Sequence, residues 1–556
     1  MPVPGDERTA FLIHSPQGEL PVPDVPIMDH VFERLREGLK KWPQDKEWIV
    51  DIPSGRSIKL SEVELNSYKI ASAFSRMGLK HDDFVYFVTY ELAQFYQIQV
   101  GLFLLGAAVR GCHPSDNPDN YVKQLKQVEA KFAIVDSETI EKIRQTLKKI
   151  DHPVKLISVG AEKLAGTVHF SELLKDDGSA FPRDVEIDTE NDVAIVINTS
   201  GSTGEPKGVV HTQKSVLAGM FGIDKVLQIK ESMMEFMTNY GVISNSALLY
   251  NLCHGVTTFH FTSFQKEHLI ENMLKYKPEC IILYPYIAAW LSKQTKELEL
   301  INQLDFVRTI LVGGWVLDTH CSDVLSEALP NTQIKPIYGM SEAFCITMPQ
   351  SGPQTEKIKR CVNEGKVYTS SGPLLQNVQC KVLDLETRSE VGPYQRGEIL
   401  IKTLSLMAGY LVAPGKPYNR VSFTDDGWMC TGDLGFYDDD AHLYVVERLT
   451  FVYKHMCHFV SPSEVESLLL EHPDVLQVGV VALPDPEVES LAVAYVVKRP
   501  DSECTEDKLV KHVADRAPFF KHLHRGVKFV DALPIGLGGK MDRSTLRKIA
   551  LQEYSF

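Results

Sequence analysis

The tightest constraint on this chain is a rhythm. Between Leu60 and Asp136 an amphipathic stretch, "SEVELNSYKIASAFSRMGL", the strand-like "DFVYFVT", a second helical pattern and "KFAIVD" follow one another. The same alternation returns in "KPECIILYP", "IAAWLSKQTKEL", "FVRTILVGG" and "CSDVLSEAL". Short apolar runs read as strands and 3.6-residue periodicity as helices. Strands separated by helices are expected to line up in parallel sheets with the helices as cover. Because 556 residues exceed what one core can organise, the rhythm is read as two α/β subdomains inside a larger molecule. Past about Gly365 the text changes to short alternating strands with turn signals, "QCKVLDLETRSEVGPYQRGEILIKT", which predicts a smaller β-rich unit, and a last block of mixed α and β follows.

Composition removes several classes of function. Apolar residues at 44% and charged residues at 24% are those of an ordinary globular protein. A net charge of −15 without a basic block argues against nucleic acid as a partner and for a small ligand. The ten cysteines form no CxxC pair and no Cys/His cluster at zinc spacing, so a reducing compartment fits. "MPVPGDERTAFLIHS" lacks the pattern of a signal peptide, and "VGLFLLGAAV" is too short for a transmembrane segment. The terminal "YSF" only faintly echoes the S-K-L address, and the expected location is cytoplasmic or peroxisomal.

The chemistry starts at "NTSGSTGEPKG", Asn198 to Gly208, flanked by the apolar runs "DVAIVI" and "VVHT" and read as a loop joining two strands. Gly201 and Gly204 free the backbone to present N–H groups, Thr199, Ser200, Ser202 and Thr203 add hydroxyls, and Lys207 adds a charge, a set that matches a polyphosphate. The loop is not the GxxxxGK[ST] type, since Pro206 stands where the second glycine should be and Gly208 follows the lysine. The competing reading, a Gly/Ser-rich linker with a stray lysine, is the weaker one.

Three further stretches carry chemistry. In "PIYGMSEAF", Tyr338-Gly339 lead to Ser341 and Glu342, where a carboxylate beside a hydroxyl could hold magnesium against phosphate; the competing reading makes Ser341 the cap of a helix. In "TGDLGFYDDD", Asp433 could accept from a ribose diol or belong to an ordinary turn. In "LPIGLGGKMDR", Lys540 follows two glycines and could deliver a cation into a site built elsewhere or simply be solvated.

In this order and spacing the four closely resemble the adenylate-forming superfamily of acyl-CoA synthetases, aryl-CoA ligases such as 4-coumarate-CoA ligase, and beetle luciferase. Thr199 to Gly208 matches that family's TSG[ST]TGxPKG, "YGMSE" its YGxTE, and Pro534 to Lys540 its PxGxxGK; "RGEILIKTLSLMAGYL" and "SPSEVESLLLEHPDV" match as well. The resemblance implies a luciferase-like fold: an N-terminal AMP-binding domain over 1–448 and a mobile C-terminal lid domain over 449–556 that carries Lys540. It also implies activation of a carboxylic acid by ATP and Mg2+ to an acyl-adenylate, with CoA taking the acyl group afterwards. Residues 199–207 with Lys207 would hold the β- and γ-phosphates, Ser341 would reach a phosphate, Glu342 would hold the metal, and Asp433 and Arg448 would take the ribose hydroxyls. Val312, Gly313, Gly314 and Tyr338 would flank adenine, and Lys540 would bridge the carboxylate and α-phosphate. His254, in "NLCHGV", would sit beside the acyl pocket unless it is a core histidine, and Lys454, in "FVYKHM", matches a lysine that luciferase uses in its oxidative step.

Some positions depart from the family. "MCHFVSPSEVE" has Met456-Cys457 where KGxxVxPxEIE has Lys-Gly, so a cysteine side chain is expected to crowd the pantetheine path. Thr450 replaces the usual Lys or Asp at the hinge, and Gln213-Lys214 replaces a His-Lys or His-Arg pair. Trp315, Phe344, Cys345 and Ile346 are bulkier than the residues they replace; Trp315, Phe344 and Cys345 are expected to narrow the acyl pocket against a large luciferin. The expected activity is an acid–CoA ligase acting on an apolar or aryl acid. The alternatives are a luciferase-like oxygenase and a nucleotide- or acid-binding homologue without full turnover.

Overall fold

The computed structural model describes residues 11–199, 207–235, 241–261, 268–350, 358–500, 502–536 and 541–554. The first βα rhythm becomes a mainly parallel sheet, in the order Gly409–Tyr410, Lys207–Thr212, Val193–Thr199, Ala108–Gly111, Phe84–Val88, Phe132–Val135, Lys155–Ser158, Val168–His169. The second builds another, in the order Gln333–Pro336, Thr309–Val312, Cys280–Leu283, Ser232–Glu235, Thr257–His260, Glu47–Asp51, Ser57–Lys59. One apolar core joins both sheets, with Trp48 and Met233 from one and Val85, Ile195 and Val209 from the other. The helix Leu92–Leu104 lies between them, and its sequence is apolar nearly all round because nearly every side chain is buried.

The β-rich text after Gly365 forms an antiparallel sheet of Ile13–His14, Gln379–Leu383, Gly397–Lys402, Met429–Tyr437 and Leu443–Arg448. Beyond Arg448 the chain turns, with the Phe451 and Val452 N–H groups both donating to the Arg448 carbonyl. It then enters an α+β unit whose sheet, Val475–Asp485, Glu489–Lys498 and Val527–Phe529, packs on the helices Pro462–Leu470, Glu506–Ala514 and Arg543–Glu553 around apolar clusters of its own. No helix among the described residues is long and apolar enough to cross a membrane.

Charge fastens the C-terminal unit to the rest. Glu464, 2% exposed, meets Arg396 at 3.1 Å and Lys521 at 2.8 Å and accepts from the Tyr368 hydroxyl. Burial alone would raise its carboxyl; Arg396 and Lys521 overcome that and hold it down at about 2.

Candidate active site

The site is built where parallel strands end. Thr309–Val312 and Gln333–Pro336 run side by side, and their continuations, Gly314-Trp315 and Ile337-Tyr338, line one cavity together with Asp433 and Arg448 from the antiparallel sheet. Crevices at the carboxyl ends of α/β strands are general ligand sites. Two glycines make the close approach possible. A Cβ on Gly313 would lie 2.5 Å from the Ile337 side chain, and one on Gly339 would lie 2.4 Å from the Phe344 carbonyl oxygen.

Asp433 organises this cavity. It is 2% exposed and sits directly across the ladder from Arg448, whose Nε forms an ion pair with Oδ1 at 2.9 Å, while the Tyr338 hydroxyl donates to Oδ2 at 2.6 Å. The Arg448 Nη1 adds a bond to the Thr431 carbonyl at 3.2 Å. Burial pushes the Asp433 carboxyl up while Arg448 opposes it, and the carboxylate in turn raises the arginine. A carboxylate has about four lone-pair positions, and among the described residues only the Tyr338 hydroxyl hydrogen-bonds to one of them, so positions stay open.

A second charged group adjoins the first. Glu342, 9% exposed, accepts from the Tyr410 hydroxyl at 2.9 Å through Oε1, and the Lys207 ammonium stands 5.0 Å from the centre of the Tyr410 ring. Among the described residues Oε2 of Glu342 has no hydrogen-bond partner. A buried carboxylate oxygen without a partner, close to a lysine, is a donor of the kind magnesium uses when phosphate supplies its other ligands.

Ser341 and Glu342 sit in a turn joining the antiparallel strands Tyr338–Met340 and Phe344–Thr347. The alternative in which Ser341 caps a helix is therefore corrected. His211 holds this turn, its Nε2–H donating to the Ser341 carbonyl at 2.7 Å with Nδ1 3.2 Å from the Ser215 hydroxyl. Complete burial lowers the His211 pKa from 6.5 to about 4. The folded ring therefore stays neutral where the unfolded chain already takes up a proton. Stability is expected to fall as pH drops from 6.5 to about 4, by up to about 3 kcal/mol, and no further below that. His211→Asn keeps an N–H for Ser341 and should flatten this slope when melting temperatures at pH 5 and pH 7 are compared; an unchanged slope would assign it to other groups.

Several sequence-predicted residues lie elsewhere. His254 ends the helix Val242–His254, stacks on Tyr250 at 4.3 Å and hydrogen-bonds Asp224. This helix follows the strand Ser232–Glu235 and runs back along the sheet, so its end lies by Thr257, where the next strand begins and away from Tyr338 and Asp433. The acyl-pocket assignment of His254 is thereby corrected. Phe344 is fully buried with φ +61°, its ring against Gly219 and 4.6 Å from the His211 ring, so it fills the core and does not line the cavity. The Cys345 thiol donates to the Thr347 carbonyl at 3.4 Å, and burial pushes it up to about 12. Lys454 lies on the surface, 3.2 Å from Glu386 and 4.4 Å from the Phe459 ring centre. Ser200, Gly201, Ser202, Thr203, Gly204 and Lys540 lie outside the described residues.

Trp315 lines the cavity and also faces the C-terminal unit. Its ring centre is 6.4 Å from that of Phe451, and the Arg543 guanidinium lies 5.5 Å from the indole and 5.3 Å from the phenyl ring. Met456 and Cys457 form the turn between Tyr453–His455 and His458–Val460 with φ +47° and +67°, a left-handed pair that favours glycine and asparagine. Cys457→Gly is expected to raise stability by about 1 kcal/mol, read as a melting temperature a few degrees higher; a lower value would show that the cysteine packs usefully.

A model for AMP-binding enzymes matches residues 35–411, and a model for the AMP-binding enzyme C-terminal domain matches residues 464–540. The chain belongs to the AMP-binding enzyme family. It is thus a member of the adenylate-forming superfamily, as its motifs suggest. Curated relatives of this AMP-binding enzyme include 4-coumarate-CoA ligase 1 of Narcissus pseudonarcissus, 29% identical over 98% of this chain and 97% of the relative, and 4-coumarate–CoA ligase of Pinus taeda, 30% identical over 95% and 96%. Among solved structures, ATP-bound MatB from Rhodopseudomonas palustris superposes with TM-score 0.81 at 19% identity, covering 96% of this chain and 100% of that one. The luciferase-like enzyme of the nonluminescent Zophobas morio mealworm gives 0.67 at 23%, covering 78% and 98%. These structures share the fold.

Tyr410 and His211, which hold Glu342 and Ser341 in place, lie in the stretches "MAGYL" and "VVHT". Nothing in their local spacing pointed at the turn 341–342, because both contacts are made between distant segments.

Proposed function

We propose that this AMP-binding enzyme is an acid–CoA ligase: it joins an apolar or aryl carboxylic acid to the α-phosphate of ATP, releases pyrophosphate, and passes the acyl group to the CoA thiol. The observation that carries this reading is the adjacency of two charge sets, Lys207–Tyr410–Glu342 and Tyr338–Asp433–Arg448. Nothing in folding alone requires a buried carboxylate with open lone pairs beside a second one. The 4-coumarate–CoA ligase relatives support the substrate class.

In this mechanism the cavity between Gly314, Tyr338 and Asp433 orients the nucleotide, with the open Asp433 positions and Arg448 taking the ribose hydroxyls. Lys207 and the hydroxyls of residues 199–203 hold the β- and γ-phosphates, and Ser341 reaches a phosphate. Glu342 would hold Mg2+, which supplies charge neutralisation on the phosphate oxygens. Lys540 brings a cation to the point where charge grows on the α-phosphate. The unit after Arg448, residues 449–556, then changes its contacts so that one cavity serves both half-reactions.

The test is pyrophosphate release from ATP and Mg2+ across short, medium, long and aryl acids, with and without CoA. Release that depends on one acid class and becomes catalytic with CoA supports the ligase. Release that stops near one equivalent and ignores CoA would mean that adenylation alone operates, with the strained Met456-Cys457 turn the first suspect. No release with any acid would overturn the reading.

A further inference from the structure

Arg110 is a buried cation without a counter-ion among the described residues. It lies in the strand Ala108–Gly111, 1% exposed, and its Nη2 donates to Gln127 at 2.8 Å while Nε and Nη1 have no hydrogen-bond partner. Burial lowers its pKa from 12.5 to about 10, and no carboxylate among the described residues offsets the cost. The other buried arginine, Arg543, is matched by Glu466 and Glu447, and the partly exposed Arg396 and Arg448 are matched by Glu464 and Asp433. An isolated buried charge is among the costliest groups a fold can contain.

Its position suggests what balances it. Ala108–Gly111 runs beside Val193–Thr199, whose antiparallel partner starts at Lys207, opposite Thr199, with Gly208 opposite Asn198. A Cβ on Gly208 would lie 3.1 Å from the Arg110 Nη2 and 3.4 Å from Cζ, so the guanidinium rests against the backbone next to Lys207 in space that only a glycine leaves free. The Asn198 Oδ1 in the same stem is also buried without a partner. Lys207 itself is exposed. Two cations thus back one strand pair, one in solvent and one in a low-dielectric interior where a charge acts over longer range.

We propose that Arg110 is a positioning residue of the polyphosphate site, a second cation behind the Lys207 strand pair whose charge is compensated when the β- and γ-phosphates of a nucleoside triphosphate, or pyrophosphate, bind at its exposed end. This rests on the nucleotide reading given under Proposed function. The free protein bears the cost of the unpaired guanidinium, and the polyphosphate relieves it. A ligand without those phosphates does not.

The test is Arg110→Met in the full-length protein, with melting temperature and equilibrium affinity read for Mg-ATP, Mg-pyrophosphate and AMP. The free variant is expected to melt higher than wild type, to bind Mg-ATP and Mg-pyrophosphate on the order of tenfold more weakly, and to bind AMP unchanged. Arg110→Lys, which keeps the charge and drops the orphaned fork, should retain most of the ATP affinity. Equal loss for ATP and AMP, unchanged ATP affinity, or a variant that melts lower would each overturn the proposal, the last by assigning Arg110 a structural role. Wild type that binds neither Mg-ATP nor AMP would overturn the nucleotide reading and this inference with it.

Discussion

Replacing Arg543 by alanine is expected to destabilise the protein by about 3–5 kcal/mol, because the change strands two buried carboxylates. Arg543, 3% exposed, pairs with Glu466 through both terminal nitrogens, donates to the Val480 carbonyl at 2.9 Å and lies 3.8 Å from Glu447. Glu466 and Glu447 are 7% and 2% exposed, so neither can recover its lost partner from water. The pair is expensive to break even where it contributes little as a whole, and Arg543→Met combined with Glu466→Leu should recover part of the loss. A mixed structural and electrostatic role predicts a further effect. Arg543 sits over Trp315, from the N-terminal unit, and over Phe451, from the turn after Arg448. Urea unfolding followed by tryptophan emission should therefore show Trp315 becoming more exposed before the main transition. A single transition displaced by less than about 1 kcal/mol would mean that the two carboxylates protonate at little cost and that the latch is weak.

The second large effect is functional. Under the proposed mechanism, Lys540→Ala should lower acid-dependent pyrophosphate release on the order of 10²-fold or more, with the KM for ATP nearly unchanged. The reason is that a cation needed only where charge develops acts on the transition state and leaves ground-state binding alone. Acyl transfer to CoA from a supplied acyl-adenylate should continue, because that half-reaction does not build charge at the same atom. Equal loss in both half-reactions would point to a folding defect, and full pyrophosphate release would remove Lys540 from the mechanism.

Much of the architecture was readable because it depends on local pattern. The apolar runs at Phe84–Val88, Phe132–Val135, Cys280–Leu283 and Thr309–Val312 became parallel strands, and the turn-rich text after Gly365 became an antiparallel sheet. "DVAIVI" and "VVHT" became antiparallel partners on either side of the Gly-rich stretch. Periodicity of 2 or 3.6 residues is a property of neighbours in sequence, so it survives without knowledge of the fold. The superfamily was readable for a related reason, since its motifs are contiguous.

The misreadings share the opposite cause. His254 is only a few residues from strands that end near the site, yet the helix Val242–His254 carries it along the sheet to another edge. Ser341-Glu342 resembled a helix start, and the bulge-bearing pairing of Tyr338–Met340 with Phe344–Thr347 made it a hairpin turn. Phe344 looked like a pocket wall and became core, at a left-handed backbone angle that a bulky residue adopts only when its surroundings demand it. The sequence by itself determined which segments are strands and helices, the family, and the residues available for phosphate chemistry. Tertiary structure alone decided that Tyr410 would orient Glu342, that Asp433 would be shared by Tyr338 and Arg448, that Trp315 would meet Arg543 across two units, and that Arg110 would be buried with no carboxylate beside it among the described residues. Each of these depends on contacts between residues far apart in the chain, and burial, which sets their charge states and energies, exists only once those segments have packed.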